Sequence, residues 1–407
     1  MASVVISGDT SGAITISAPA VAGTNTLTLP VATDTLVGKT TTDTLTNKTL
    51  TSPTLTTPAL GTPASGVMTN VTGINYDGFK NRIINGAMVI DQRNAGASVT
   101  NTTGYVYGLD RYSFIGSSAS KFTFQQSSTA PTGFVNSYLI TSSAATSLGA
   151  SDYYFMRQNI EGFNVADLGW GTASAQTVTL SFWVRSSLTG TFGGCLKNSA
   201  ENRSYPFSYT ISSANTFEYK TITIAGDTTG TWLTNNGTGI NLTLGLGIGS
   251  TSSGTAGAWA GANYYSATGA TSVVGTNGAT LYITGVQLEK GSTATSFDYR
   301  PYGTEFMLCQ RYYQKSGYGM AGRVEGTTLA TLSGRYIVEM RAAPSGTLLN
   351  GASGIATFGV STYDISALAT LANGTNDYRQ AVNSSGMVIG NMVNGYSQSV
   401  IGWSAEL

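Results

Sequence analysis

Thr177-Val178-Thr179-Leu180-Ser181-Phe182-Trp183-Val184 is a run of β-branched, aliphatic and aromatic residues that leads into Arg185. Such residues suit a pleated, half-buried surface, and along a strand their side chains point to alternate faces. Phe182 and Val184 therefore share one face and Trp183 and Arg185 the other, so one pair is expected in the core and the other outward or against a neighbouring chain. Similar runs stand on either side: Ala87-Met88-Val89-Ile90, Phe122-Thr123-Phe124, Lys220-Thr221-Ile222-Thr223-Ile224 and Leu281-Tyr282-Ile283. Gly, Asn and Ser punctuate them. Short strands with turn chemistry between them and no long segment of 3.6-residue period predict an all-β chain. Its main body, residues 76–303, reads as an antiparallel jelly-roll sandwich.

Composition supports a packed chain and removes several functions. Charged residues make up only 10% of the 407, with 20 Lys plus Arg against 20 Asp plus Glu, so solubility rests on hydroxyls and amides. A disordered chain would be poor in aromatics, whereas this one has 22 Tyr, 14 Phe and 5 Trp. Zero net charge without a Lys/Arg cluster argues against nucleic acid as a partner. The absence of His excludes a Ser–His nucleophile. Cys195 and Cys309 stand far apart without a CxxC pair, so they read as isolated buried thiols, and neither a metal nor another cofactor is expected. Met1–Ile6 has no basic leader-like start, and no run of about 18 apolar residues is present, so neither secretory export nor membrane insertion is expected.

The ends differ from the body. Over residues 1–38, Val4-Val5-Ile6, Ala13-Ile14-Thr15-Ile16 and Leu27-Thr28-Leu29 alternate with turn residues and predict hairpins too small to bury a core alone. From Thr44 a five-residue unit recurs, placing Leu45, Leu50, Leu55 and Leu60 at equal spacing with Pro53, Pro58 and Pro63 between them. Five matches neither a helix nor a strand, and the prolines remove backbone donors. Residues 39–75 are read as a shaft in which several chains turn these leucines inward, the alternative being a flexible Thr/Pro-rich linker. Near Thr304, Phe306, Leu308, Cys309, Tyr312 and Tyr313 recur at i, i+3 and i+4 behind a Thr304 cap, which predicts one short helix. Residues 304–407 then return to strands, including Arg335–Met340 and Ser397–Trp403, with Asn394-Gly395 as a hairpin turn, and form a small C-terminal β domain.

Asn81-Arg82-Ile83-Ile84-Asn85-Gly86-Ala87-Met88-Val89-Ile90-Asp91-Gln92-Arg93 and Leu109-Asp110-Arg111-Tyr112 resemble the opening of the jelly-roll, carbohydrate-binding-module-like domains of bacteriophage tail fibres. Leu180–Ser187 and Gly285–Thr295 look like the same family's middle and closing strands. Arg300-Pro301-Tyr302-Gly303, Cys309-Gln310-Arg311-Tyr312-Tyr313 and Met340-Arg341-Ala342-Ala343-Pro344 are similar to the junction and C-terminal domain of these fibres. The resemblance implies a homotrimeric virion protein, assembled in the cytoplasm of the host bacterium. Its N-terminus would attach to other tail or baseplate proteins, and its C-terminal domains would recognise a bacterial surface glycan. The alternatives are a purely structural fibre, adaptor or capsid-decorating protein, and a glycan depolymerase.

Sugars are recognised by flat aromatic faces flanked by amides, acids and Arg. The ligand-binding candidates are therefore Trp259, Tyr264 and Tyr265 in a Gly-rich stretch, and Asp377, Tyr378, Arg379 and Tyr396 in the last domain. A depolymerase needs two carboxylates about 5–9.5 Å apart. Asp110, Asp152, Glu161, Asp167 and Glu201 lie in the body but in no signature, so no catalytic residue is assigned. The unsupported hairpins and the leucine repeat leave apolar surface that needs partner chains. Light scattering of the full-length chain is expected to give the mass of three chains; a monomer, both for the full chain and for one beginning at Tyr76, would refute the fibre reading.

Overall fold

The computed structural model describes residues 3–7, 11–17, 49, 51, 80–316, 321–349, 353–357, 362–364, 367–383, 392–395 and 401–407. The shaft leucines Leu45, Leu50, Leu55 and Leu60, the Leu27–Leu29 run and Tyr396 lie outside these residues. Residues 1–74 and 75–407 form two units. In the first, β1 (Ser3–Ser7) and β2 (Ala13–Ser17) pair as an antiparallel hairpin.

Among its described residues the second unit is all-β apart from one α-helix and short 3₁₀ turns. Its strands are β3 (Val99–Thr100), β4 (Val106–Leu109), β5 (Tyr112–Gly116), β6 (Phe122–Ser127), β7 (Ser137–Ser142), β8 (Tyr153–Glu161), β9 (Val178–Ser186), β10 (Gly190–Lys197), β11 (Ser204–Ile211), β12 (Glu218–Ile224), β13 (Thr238–Ile248), β14 (Ser253–Gly254), β15 (Ser266–Ala267) and β16 (Thr280–Lys290). Helix α1 (Tyr302–Gln310) follows. Then come β17 (Tyr313–Ser316), β18 (Ala321–Gly326), β19 (Leu329–Arg335), β20 (Ser345–Leu348), β21 (Ser353–Thr357), β22 (Thr362–Asp364), β23 (Ala367–Asn373), β24 (Asp377–Asn383), β25 (Met392–Gly395) and β26 (Ile401–Ser404).

Two six-stranded antiparallel sheets, in the orders β11-β10-β13-β8-β5-β4 and β12-β9-β16-β7-β6-β3, face each other. The chain crosses between them repeatedly, as a jelly roll does. Alternation decides what lies between the sheets. Phe182 and Val184 are fully buried while Trp183 and Arg185 are only partly covered. Across the gap Phe114 stacks on Phe124 at 5.2 Å, and Phe182 meets Tyr209 edge-on at 5.0 Å. Both Cys195 and Cys309 are buried free thiols. After α1 the chain forms a three-stranded sheet, β17-β26-β20, and a seven-stranded sheet, β22-β21-β25-β18-β19-β24-β23. Their shared core is built around Trp403, with Tyr378 at 4.6 Å and Tyr336 at 5.7 Å.

Four local expectations are corrected. Ala87–Ile90 is not a strand, because Asn85 and Met88 take φ of 60° and 59° and turn the chain. Residues 336–340 are not a strand either: Gln314 accepts from Ile337 N at 2.9 Å and donates to Val338 O, replacing a neighbouring strand. Asn394 and Gly395 are no hairpin turn but lie inside β25, which has β18 on one side and β21 on the other. Thr304 does not cap α1. Pro301 occupies that position with no side-chain bond, and Tyr313 begins β17 beyond the helix end.

The irregular stretch of residues 80–98 is held by side chains, which also tie it to α1. The Asn85 Nδ2 donates to Ile90 O (2.8 Å) and Asp110 O (3.0 Å), its Oδ1 accepts from Ile90 N (3.0 Å), and its backbone N–H donates to Glu305. Gln158 on β8 accepts from Ile84 N and donates to Ile84 O, each at 2.9 Å. At Gly86 an added Cβ would sit 2.2 Å from Val286 O, so only glycine allows this approach. Ile84, Ile90, Cys309 and Tyr312 pack where α1 meets the stretch. Removing the Asn85 amide strands three buried partners, so Asn85→Ala is expected to lower the unfolding free energy by about 3 kcal/mol at ~1 kcal/mol per bond, as measured by urea denaturation.

Asp110 is buried beside Arg93 and accepts from Gln92 N (2.6 Å) and Nε2 (2.9 Å). Burial outweighs these partners and raises its pKa from 3.8 to about 6. A carboxyl raised in the folded state binds its proton more tightly there. Its contribution to stability is complete below pH 3.8 and lost as the pH rises through about 6. Asp110→Asn removes this dependence, so the variant is expected to gain roughly 3 kcal/mol on the wild type between those limits, at 1.36 kcal/mol per pH unit, in denaturant titrations at both pH values.

Candidate functional site

The outer face of the first sheet gathers the polar chemistry of the sandwich. Along β8 the residues Phe155, Arg157, Asn159 and Glu161 alternate with the inward Tyr154, Met156 and Ile160. Cross-strand pairing sets Phe155 beside Gly245 and Arg157 beside Thr243. Asn159 lies beside Asn241, which is itself opposite Lys197 on β10.

One half of this face is closed by the chain itself. Arg311, just past α1, donates to both Glu161 oxygens at 3.0 and 2.6 Å, and the Tyr312 hydroxyl donates to Glu161 at 2.6 Å. Burial alone would raise the Glu161 pKa, but these bonds hold it below the ordinary carboxylate value. Asn159 Nδ2 donates to Leu407 O at 2.6 Å. Arg111, at φ 72° in the β4–β5 turn, lies over the Tyr312 ring at 3.5 Å and pairs with Glu406.

The other half is open at its rim. Lys197 is 0% exposed, and its Nζ donates to Glu201 (3.0 Å) and Asn263 Oδ1 (2.8 Å) beneath the Tyr265 ring, 3.9 Å from the centroid. Asn263 Nδ2 donates to the second Glu201 oxygen at 3.0 Å, and Arg157 adds a bond to Glu201 at 3.2 Å. Arg157 also donates to the hydroxyl of Tyr105, a residue that is 59% exposed. Tyr265 stacks on Phe155 at 4.4 Å. Burial lowers the Lys197 pKa to about 8 despite its anionic partner. At Glu201 burial pushes upward, and Lys197 and Arg157 reverse it, leaving the carboxyl below its ordinary value. The result is a carboxylate, an amide and an aromatic face fixed side by side at an edge that solvent reaches.

Of the sequence candidates, Tyr265 belongs to this cluster. Trp259 is packed among Tyr205, Trp170 and Trp232 at 5.2–5.4 Å and donates to Ala225 O. Tyr264 covers Gly254. Tyr378 is buried against Trp403, Asp377 is exposed where β24 begins, and Arg379 is exposed 3.7 Å from Glu325. The other carboxylates are engaged as well: Asp152 accepts from Ser117 and Gly149, and Asp167 pairs with Arg82 at 2.9 Å. Sequence reading missed Tyr105, Arg157, Lys197 and Asn263 as a group. The available signal was the run Arg157-Gln158-Asn159 within β8 and Lys197 at the end of β10.

The chain matches no described protein family and no curated protein sequence. Among solved structures it is similar to the enzymatically active domain of tailspike protein 4 of bacteriophage CBA120, with TM-score 0.29 and 11% identity over 53% of this chain and 22% of that one. The match thus spans less than a quarter of that domain's length. It is also similar to a family 11 carbohydrate-binding module from Clostridium thermocellum in complex with a mixed-linked tetrasaccharide (TM-score 0.25, 10% identity, 48% and 98% covered). A third is the carbohydrate-binding module TmCBM61 in complex with β-1,4-galactotriose (TM-score 0.24, 11% identity, 44% and 88% covered).

Proposed function

We propose that this chain is a structural protein of a phage tail that binds a bacterial surface glycan without cleaving it. The observation that carries the glycan reading is the fully buried Lys197 amine. Burying a charge is costly, and here it serves to hold Glu201 and Asn263 at the rim beside the exposed Tyr105 ring. A sugar offers both partners this rim needs: hydroxyls for the carboxylate and amide, and a C–H face for the ring. The finer reading is a homotrimer in which residues 1–38 attach to tail or baseplate proteins, 39–75 form the shaft, and 76–303 and 304–407 recognise the host. Its support is the sequence pattern and the resemblance carried by residues 81–93. Three sites per fibre that engage together would raise binding by roughly 10² to 10⁴, so a weak single site suffices.

The test is binding of the full-length chain to purified host lipopolysaccharide or capsule, followed by calorimetry with the oligosaccharide released from it. Tyr105→Ala is expected to weaken binding about tenfold, which corresponds to 1.4 kcal/mol, while Tyr105→Phe keeps it. Equal binding by both variants and the wild type would refute this site. The pH dependence has two limbs. Glu201 must be ionised, so affinity falls in acid as the pH drops through its lowered pKa. Lys197 must be charged, so affinity falls again as the pH rises through about 8. A flat profile between pH 6 and 9 in the same calorimetry would count against the assignment.

A further inference from the structure

On the opposite side of the sandwich, the outer face of the second sheet carries a groove of about 520 Å³ lined by Phe134, Trp183, Tyr219, Phe297 and Tyr299. Trp183 on β9 and Tyr219 on β12 are cross-strand partners with ring centroids 5.3 Å apart. Phe134, Phe297 and Tyr299 form a second group, with centroids 4.8–5.5 Å apart. Tyr299 is 55% and Tyr219 43% exposed. The Tyr299 hydroxyl donates to Gly133 O, which ties its ring to the loop that carries Phe134.

The floor between the two groups is made by a break in β16. Its pairing with β9 shifts register between Thr284 and Gln287, and Gly285 stands there at φ 62°. A Cβ on Gly285 would lie 2.7 Å from the Phe134 ring and 3.2 Å from Trp183. The bulge and its glycine therefore let the Phe134 ring and Trp183 close onto the strand from both sides, where a side chain would push the two aromatic groups apart.

No charged side chain lines the groove among the described residues. Lys80 and Glu289 reach its rim, and both hydrogen-bond the Thr295 hydroxyl. Arg185, two residues from Trp183, is turned onto the rings of Tyr282 and Phe217 at 4.9 and 6.0 Å. The volume suits a small ligand. Exposed ring faces with hydroxyls at the edge suit an uncharged molecule that has both C–H faces and hydroxyl groups.

We propose that this groove is a second glycan-binding site, selective for neutral saccharides and independent of the Lys197–Glu201 cluster. Full-length protein titrated with maltohexaose, cellohexaose and mannohexaose, and with trigalacturonic acid as the acidic control, tests this by tryptophan fluorescence, because Trp183 lines the groove. At least one neutral hexasaccharide is expected to change the emission below about 10 mM, above the ~1 mM dissociation constant of a weak site. Tyr219→Ala and Tyr299→Ala are expected to weaken that binding about tenfold, Tyr219→Phe to retain it, and Tyr105→Ala to leave it unchanged. Loss with Tyr105→Ala alone would assign the neutral sugar to the first site and overturn the groove. So would the absence of any neutral response, or a response that Tyr219→Ala does not alter. If Tyr219→Ala instead lowers the mass by light scattering without changing binding, the face is a contact between copies and the proposal fails. Failure at Tyr105 with success at Tyr219 would refute the first site and leave this one standing.

Discussion

Everything in the larger unit depends on how the irregular stretch around Asn85 satisfies its backbone. Buried amides and carbonyls outside a sheet must find other partners, and here one carboxamide supplies three bonds within 3.0 Å. Because Glu305 accepts from Asn85 N and Gln158 holds both polar groups of Ile84, the same stretch fixes α1 and β8 to each other. That contact orients the residues after α1, and so brings Arg311 and Tyr312 onto Glu161.

The junction thereby divides one sheet face into two fates. Near Asn159 and Glu161 the polar side chains are consumed by Leu407, Arg311 and Tyr312. Near Arg157 and Lys197 the covering segment is a short loop, and Glu201, Asn263 and Tyr105 remain at the edge. The outer face of the second sheet has a different character. There the cross-strand pair of Trp183 and Tyr219 and the bulge at Gly285 frame an aromatic groove whose lining holds no charged side chain among the described residues. The two faces point away from each other, so a single short saccharide cannot occupy both.

The strands and the inward placement of Phe182 and Val184 were legible in the chain, because alternation with a period of two is a local property. So were the existence of a short helix near residue 304 and the N-terminal hairpin. The strand expectations for 87–90 and 336–340 failed for one reason: in each place a distant or nearby amide, from Asn85 or Gln314, offered the backbone partners that a neighbouring strand would otherwise supply. Asn394-Gly395 failed in the opposite direction, since strands on both sides overrode a strong local turn preference.

By itself the sequence determined an all-β chain and which strands bury which face. Both follow from residue type and short-range spacing. Only the tertiary structure decided which polar groups meet. Arg157, Lys197, Glu201 and Asn263 converge from β8, β10, the turn after β10 and a loop more than 60 residues further on. Likewise Trp259 and Tyr378, exposed-looking in the chain, became packing. A side chain's exposure depends on what folds over it, and that is set by long-range contacts no local pattern encodes.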